Sequence, residues 1–170
     1  DGGQNEALNQ LASRSYSALG MAYQTAASSA TEVELQREQL QLSVRAYGHA
    51  TKLDPLSWAN FANLAVVLAD VGHDENGDKV PSLEMYEEGI LAYQKAIDIL
   101  TGANAEKDGS NSIPTDPPEN IQEVVAELHY RIGLCLVPSL FTQGNDEETG
   151  DGKQSTLTID SNPITRSCFE

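Results

Sequence analysis

The sequence predicts an all-α fold built of antiparallel helix-turn-helix repeats, and three observations support this prediction. Apolar and small residues recur at spacings of three and four along most of the chain, which is the period of one helix face. Val and Ile are sparse and scattered, which does not favour strands. A pattern of bulky and very small residues also recurs in several of these stretches, as it does in stacked supersecondary units.

The composition is that of a strongly acidic chain with the size of one domain. Its 170 residues contain 10 Lys and Arg against 26 Asp and Glu, which gives a formal net charge of −16. Such a charge repels phosphate backbones and anionic lipid surfaces, because both are bound through cationic contacts. We therefore expect no nucleic-acid partner and no membrane partner, whereas a basic protein partner is favoured.

Two cysteines, Cys135 and Cys168, are too few for a disulfide framework. Cys135 lies in an apolar helical stretch, where a buried thiol is ordinary. A reducing compartment is favoured, and we expect a soluble, intracellular protein of the cytoplasm. The chain starts at Asp1 rather than at Met, which predicts a fragment or a processed chain.

The first two helices are predicted from periodicity and from their ends. Helix one should run from Glu6 to about Ala27 or beyond. Its predicted buried stripe consists of Leu8, Leu11, Ala12, Tyr16, Leu19, Gly20 and Tyr23. Thr31 and Glu34 fit a capping box that opens helix two. Helix two should end before Pro55, because the residue preceding a proline is pushed out of the α region.

Three further helices are predicted in the rest of the chain. Ser57 is a suitable N-cap for the third, over residues 58–71. The fourth should cover residues 83–100, because Gly102 follows as a stop signal. The fifth should cover residues 119–142.

Polar segments are predicted to separate and follow these helices. Residues 73–79 form an acidic turn, and residues 103–118 are rich in Asn, Asp, Ser, Gly and Pro, which predicts a long mobile loop. Pro138 should kink or end the fifth helix. The organisation predicted is a helical repeat domain over residues 6–142. Residues 143–170 are either an acidic linker or the beginning of another repeat helix.

The bulky and small positions of the helices fall into two repeated motifs. Three stretches share the first motif: Tyr16-x2-Leu19-Gly20-x2-Tyr23, Phe61-x2-Leu64-Ala65-x2-Leu68 and His129-x2-Ile132-Gly133-x2-Leu136. Two stretches share the second: Ser43-x3-Tyr47-x2-Ala50-x4-Pro55 and Gly89-x3-Tyr93-x2-Ala96-x4-Thr101. The second motif places small residues where an antiparallel partner helix must approach closely. Thr165 and Phe169 repeat its opening spacing, which is the basis for a third repeat in the tail.

With these motifs the chain resembles the tetratricopeptide repeat (TPR) family, whose unit is a helix-turn-helix of about 34 residues. The resemblance spans residues 16–136, with extra residues inserted between the units. It implies an αα superhelix of about two and a half repeats. It also implies that ligands bind on the concave face, which the first helix of each repeat forms.

No arrangement of residues in the sequence predicts catalysis, a cofactor or a metal. His49, His73 and His129 have no partner at the i, i+4 spacing of helical metal ligands, and Cys135 does not share a helix face with His129. Residues 74–78 resemble a calcium loop only in composition, because the ligand register fails. Phosphate-binding glycine loops and nucleophile elbows are absent from the sequence. We predict that the chain is not an enzyme.

The predicted function is a protein-interaction scaffold that binds a protein or peptide, favouring a basic one. The predicted partner-binding residues face solvent on the first helices of the repeats: Asn60, Asn63 and Val67 on helix three, and Glu127 and Arg131 on helix five. The two asparagines are i, i+3 neighbours whose amides are suited to hold a peptide backbone. The alternative for them is plain polar surface.

Two other functions are compatible with the sequence. In the first alternative, the chain is an accessory region of a larger enzyme whose catalytic part lies beyond Glu170. Such a region would be regulatory or would present substrate. In the second it is an acidic helical bundle with a structural role in an assembly, where neighbours cover the uncapped terminal helices and self-association occurs through them.

Overall fold

A computed structural model describes residues 2–72, 83–103 and 114–142, and within these ranges every regular element is a helix. The helices are α1 (Gly2–Ser29), α2 (Val33–Leu53), α3 (Trp58–Gly72), α4 (Leu83–Thr101) and α5 (Ile121–Thr142). The predicted all-α class is therefore confirmed. The predictions for the acidic turn at 73–79 and for the segment 143–170 lie outside the described residues.

The described helices pack in chain order. The closest neighbours are α1 with α2 and α3 with α4, while α2 also contacts α3 and α4 contacts α5. Contacts between α1 and α2 join Ser13 to Ala50 and Gly20 to Ser43, so the residue numbers run in opposite directions. The first two helices therefore form an antiparallel pair, as the sequence predicts.

A close approach at Gly20 holds α1 and α2 together. A Cβ atom added to Gly20 would lie 2.9 Å from the ring of Tyr47, which is only 1% exposed. The Ser43 hydroxyl donates a hydrogen bond of 2.8 Å to the Gly20 carbonyl. Because Gly20 has no side chain, the aromatic ring of α2 lies directly on the backbone of α1.

The predicted buried stripe of α1 is wrong in its large residues. Four of them are exposed by 38% to 63%: Leu8, Leu11, Tyr16 and Leu19. The buried positions are small ones two turns apart, namely Ser13, Gly20 and Ala27. The close approach of α2 explains the difference, because only small side chains fit between the two helices, and the leucines lie on other sides of α1.

The second motif is buried in both helices that carry it. Its small and aromatic members all belong to the interior: Ser43, Tyr47, Ala50, Gly89, Tyr93 and Ala96. The main core cluster lies where α3, α4 and α5 meet. The prediction that small residues mark the close helix contacts is therefore confirmed for α2 and α4.

Two predicted helix starts differ from the structure. The capping box of Thr31 is wrong, because α2 begins after an extended Glu32 that makes no side-chain cap. At α5 the helix begins two residues later than predicted. There Asn120 accepts a 3.3 Å hydrogen bond from the Glu123 amide and donates one of 2.9 Å to its carboxylate.

Two predicted helix ends can also be compared with the structure. Gly102 has a φ of 70° and follows the last residue of α4, which confirms it as the stop signal. Pro138 does not end α5, which extends to Thr142.

The described end of the α4–α5 connection folds against the turn between α2 and α3. Thr115 donates from its amide to the Leu56 carbonyl at 3.0 Å and from its hydroxyl to Asp54 at 3.1 Å. The indole of Trp58 donates to the carbonyl of Asp116 at 3.1 Å. These bonds attach this end of the predicted loop to the α2–α3 turn and to the start of α3.

We expect Gly20→Ala to lower the free energy of unfolding by about 1 to 3 kcal/mol, because its methyl group would overlap the Tyr47 ring. Gly48→Ala on α2 is the matched control, since a Cβ there meets nothing within 4 Å. It should stabilise the helix by about 0.5 to 1 kcal/mol. Urea unfolding measures both variants, and equal effects would contradict the proposed contact.

Candidate partner-binding groove

An open groove of about 740 Å³ lies between α3 and α5, with α4 beneath it. We call it the α3–α5 groove. Its apolar lining consists of Trp58, Ala62, Val66, Tyr93, Val124, Ala126 and Leu128. Its polar lining consists of Asn63, Glu123, Glu127 and Arg131. The groove therefore combines an apolar floor with a polar rim.

Three of the five predicted partner-binding residues lie together in this groove. Asn63 on α3 and the pair Glu127 and Arg131 on α5 contribute side chains to it. Their grouping follows from helix geometry, since each lies on a turn of its helix that faces the other helix. Binding of a partner by these residues stays a prediction.

The prediction that Asn60 and Val67 face solvent is wrong. Asn60 is 5% exposed, and Val67 is fully buried. The Asn60 amide donates a 2.9 Å hydrogen bond to the hydroxyl of Ser13, which itself donates one of 2.9 Å to the Ala50 carbonyl. This face of α3 packs on the preceding helix pair, so its residues are part of the interior.

An ion pair organises one side of the rim. The Nε of Arg131 donates to Glu127 at 2.8 Å, one helical turn away, and both side chains remain about half exposed. A pair this exposed adds little to stability because water screens it. Its effect is to fix the position of the guanidinium beside the groove. With Glu123, the rim carries one more negative than positive charge.

Tyr93 forms part of the floor and belongs to the second sequence motif. It is 2% exposed, and burial raises the pKa of its hydroxyl to about 12, although a hydrogen bond from Arg131 partly opposes this rise. Burial lowers the pKa of Arg131, but Tyr93 and Glu127 outweigh this effect and raise it. The guanidinium thus stays charged and is held by two partners.

Trp58 is an aromatic groove residue that lies outside both sequence motifs. It lies at the first turn of α3, and its indole nitrogen is bonded to the Asp116 carbonyl. This bond fixes the ring at the end of the groove. The only sequence signal was an aromatic residue directly after a helix N-cap.

A second groove, of about 700 Å³, lies between α1 and α3. The segment with Thr115 and Asp116 borders it, and Asp116 forms a 3.2 Å salt bridge with Arg14. Both charged side chains are largely exposed. This groove is lined mainly by small and polar side chains, and Met21 is the one large apolar side chain among its lining residues, whereas the α3–α5 groove has Trp58, Tyr93 and Leu128.

The described histidines do not gather into a site. His49 is exposed and lies against Tyr16, with 5.1 Å between the ring centres. His129 is half buried, and its Nδ1 has no hydrogen-bond partner. In residues 2–72, 83–103 and 114–142, no group of three or more His, Cys, Asp and Glu side chains is suited to hold a metal ion. Over the same ranges, none of the helices has the length and apolar content that crossing a bilayer requires.

Comparison with known proteins found no matching protein-family model, no similar curated protein and no similar solved structure.

The raised pKa of Tyr93 predicts a loss of stability in alkali. In the unfolded chain a tyrosine ionises near its ordinary pKa of 10.0, whereas folded Tyr93 resists until about pH 12. The stabilisation is complete below pH 10 and is lost as the pH rises towards 12. Tyr93→Phe should remove up to about 2 kcal/mol of this decline. Urea unfolding across that range measures it, and identical slopes for both proteins would contradict the assignment.

Proposed function

We propose that the chain is a protein-interaction scaffold that holds a segment of a partner protein in the α3–α5 groove. The observation that carries this proposal is the groove itself, which is open, apolar along its floor and polar at its rim. Grooves of this kind between helices accept amphipathic helices or extended peptides, whose apolar side chains fill the floor. We further propose that the chain has no catalytic activity of its own.

The rim and the overall charge favour a basic partner segment. Glu123 and Glu127 lie on the same side of the groove and are exposed, so Lys or Arg side chains of a partner would meet them. The net charge of −16 would also steer a basic segment towards the chain. Asn63 and Arg131 offer hydrogen-bond donors to carbonyl or carboxylate groups of the same segment.

We also infer a TPR-like arrangement of the helix pairs. Equivalent small positions support this inference: Gly20 contacts α2, and Ala65 lies beside Gly89 of α4, whose added Cβ would be 3.3 Å from the Ala65 carbonyl. In such an arrangement the groove lies between the first helices of successive repeats. A cytoplasmic, reducing location is part of the proposal, and the free buried thiol of Cys135 supports it.

A peptide-selection experiment tests the proposed function. The 170-residue chain is panned against a random peptide library displayed on phage, and affinities of the enriched peptides are measured by fluorescence anisotropy. We expect enriched peptides to combine basic and apolar residues. Glu123→Lys with Glu127→Lys should weaken their binding at least about tenfold, which corresponds to about 1.4 kcal/mol.

The matched control is Glu87→Lys with Glu88→Lys, which makes the same change of charge on the exposed side of α4. Circular dichroism confirms that each variant keeps its helices. Equal weakening by both pairs would show that only net charge matters. That result, or the absence of enriched peptides, would contradict the assignment of the α3–α5 groove as the binding site.

A further inference from the structure

The side of α1 away from α2 carries an exposed face without any charged residue. Its members are spaced by three and four positions, and all are exposed: Gln4, Leu8, Leu11, Ser15, Leu19, Ala22 and Ala26. We call it the outer face of α1. Leu8 and Leu11 are 62% and 63% exposed, more than almost any other large apolar residue described. No described part of the chain covers them.

The outer face has the pattern of a helix contact elsewhere in the same chain. When Gly20 is aligned with Gly133, the three leucines of this face match positions of α5 that pack against the core of α3 and α4. Those positions are Ile121, Val124 and Ile132. The corresponding side chains of α5 thus belong to a helix–helix contact, whereas those of α1 face solvent. The outer face is therefore suited to receive a helix.

We propose that a second copy of this chain covers the outer face, with the two α1 helices antiparallel about a twofold axis at Ser15. In this register Leu8 lies opposite Ala22 of the second copy, and Leu11 lies opposite its Leu19. A large side chain meets a small one or another leucine at each level, so the face is complementary to itself. The small residue on the axis lets the helices approach closely.

The polar residue on the axis does not oppose this contact. The hydroxyl of Ser15 already donates a 3.0 Å hydrogen bond to the Leu11 carbonyl of its own helix. Burying a hydroxyl without a partner would cost free energy, but here the donor keeps its bond. The centre of the proposed interface can therefore be desolvated at little cost.

Charge also favours this face over other exposed apolar surface. Residues 2–29 contain one acid, Glu6, and one base, Arg14, so the acidic excess lies elsewhere in the chain. Among the described residues, a second exposed apolar stripe is on α5 and consists of Tyr130, Leu134 and Val137. Glu123, Glu127 and Arg131 border that stripe, so two copies meeting there would each bring one excess negative charge. Two acidic chains approach with least repulsion at α1.

Sedimentation equilibrium of the 170-residue chain under reducing conditions tests the proposal. With increasing concentration the mass should rise from 18.3 kDa towards twice that value. Leu11→Glu should keep the protein monomeric at every concentration, because it places two carboxylates in the interface. Leu91→Glu on α4 is the control, since Leu91 is 69% exposed but lies outside the outer face. The mass of this variant should match that of the wild type at each concentration.

A charge-pair rescue tests the antiparallel register. Leu19→Lys alone should also abolish the dimer. The double variant Leu11→Glu with Leu19→Lys should restore it, because each introduced acid would face an introduced base across the axis. A monomeric wild type would overturn the proposal, and so would a dimer that survives Leu11→Glu. Failure of the rescue would overturn the register. None of these outcomes depends on the α3–α5 groove.

Discussion

Three helices meet at the hydroxyl of Ser13, which accepts a hydrogen bond from Asn60 of α3 and donates one to the Ala50 carbonyl of α2. All of these groups are buried, so any of them left without its partner would cost about 1 to 3 kcal/mol. With this bond made, the side of α3 that carries Asn60 faces α1 and α2. Gly20 makes this junction possible, because only a bare backbone lets α2 approach α1 so closely. The hydrogen bonds of Ser13 thereby join the α1–α2 pair to α3, the first helix of the next pair.

The rotation of α3 determines what the chain presents to a partner. With Asn60 and Val67 turned inwards, the positions between them, Ala62 and Asn63, turn towards α5. The apolar floor and polar rim of the α3–α5 groove follow from this arrangement, together with the guanidinium that Tyr93 holds from below. A buried polar junction thus has two effects, since it stabilises the fold and selects the exposed side chains. The outer face of α1 is the corresponding surface at the other end of the array.

The sequence predicted the helices well because helical periodicity and glycine stops act locally. Gly102 and the aromatic residues of α2 and α4 are examples. The buried side of each helix was harder to predict, because it depends on which other helix packs against it. The leucines of α1 suggested a core stripe, yet the close contact required its small residues. Asn60 was predicted to face solvent as part of the concave face, but it bonds to Ser13, which is distant in sequence. The hydrogen bonds between Thr115 and the α2–α3 turn likewise join remote segments that no local pattern connects.

A double-mutant cycle at the junction tests this account most directly, with Ser13→Ala, Asn60→Leu, their combination and wild type compared by urea unfolding. Leucine is the residue at the matching position of α5, Leu128, so it suits a buried site. Ser13→Ala alone should cost about 1 to 3 kcal/mol, because the Asn60 amide is left without its acceptor. The double variant should be more stable than the sum of the single effects predicts, by at least about 1 kcal/mol. Additivity within about 0.5 kcal/mol would contradict the claim that this hydrogen-bonded junction joins the helix pairs.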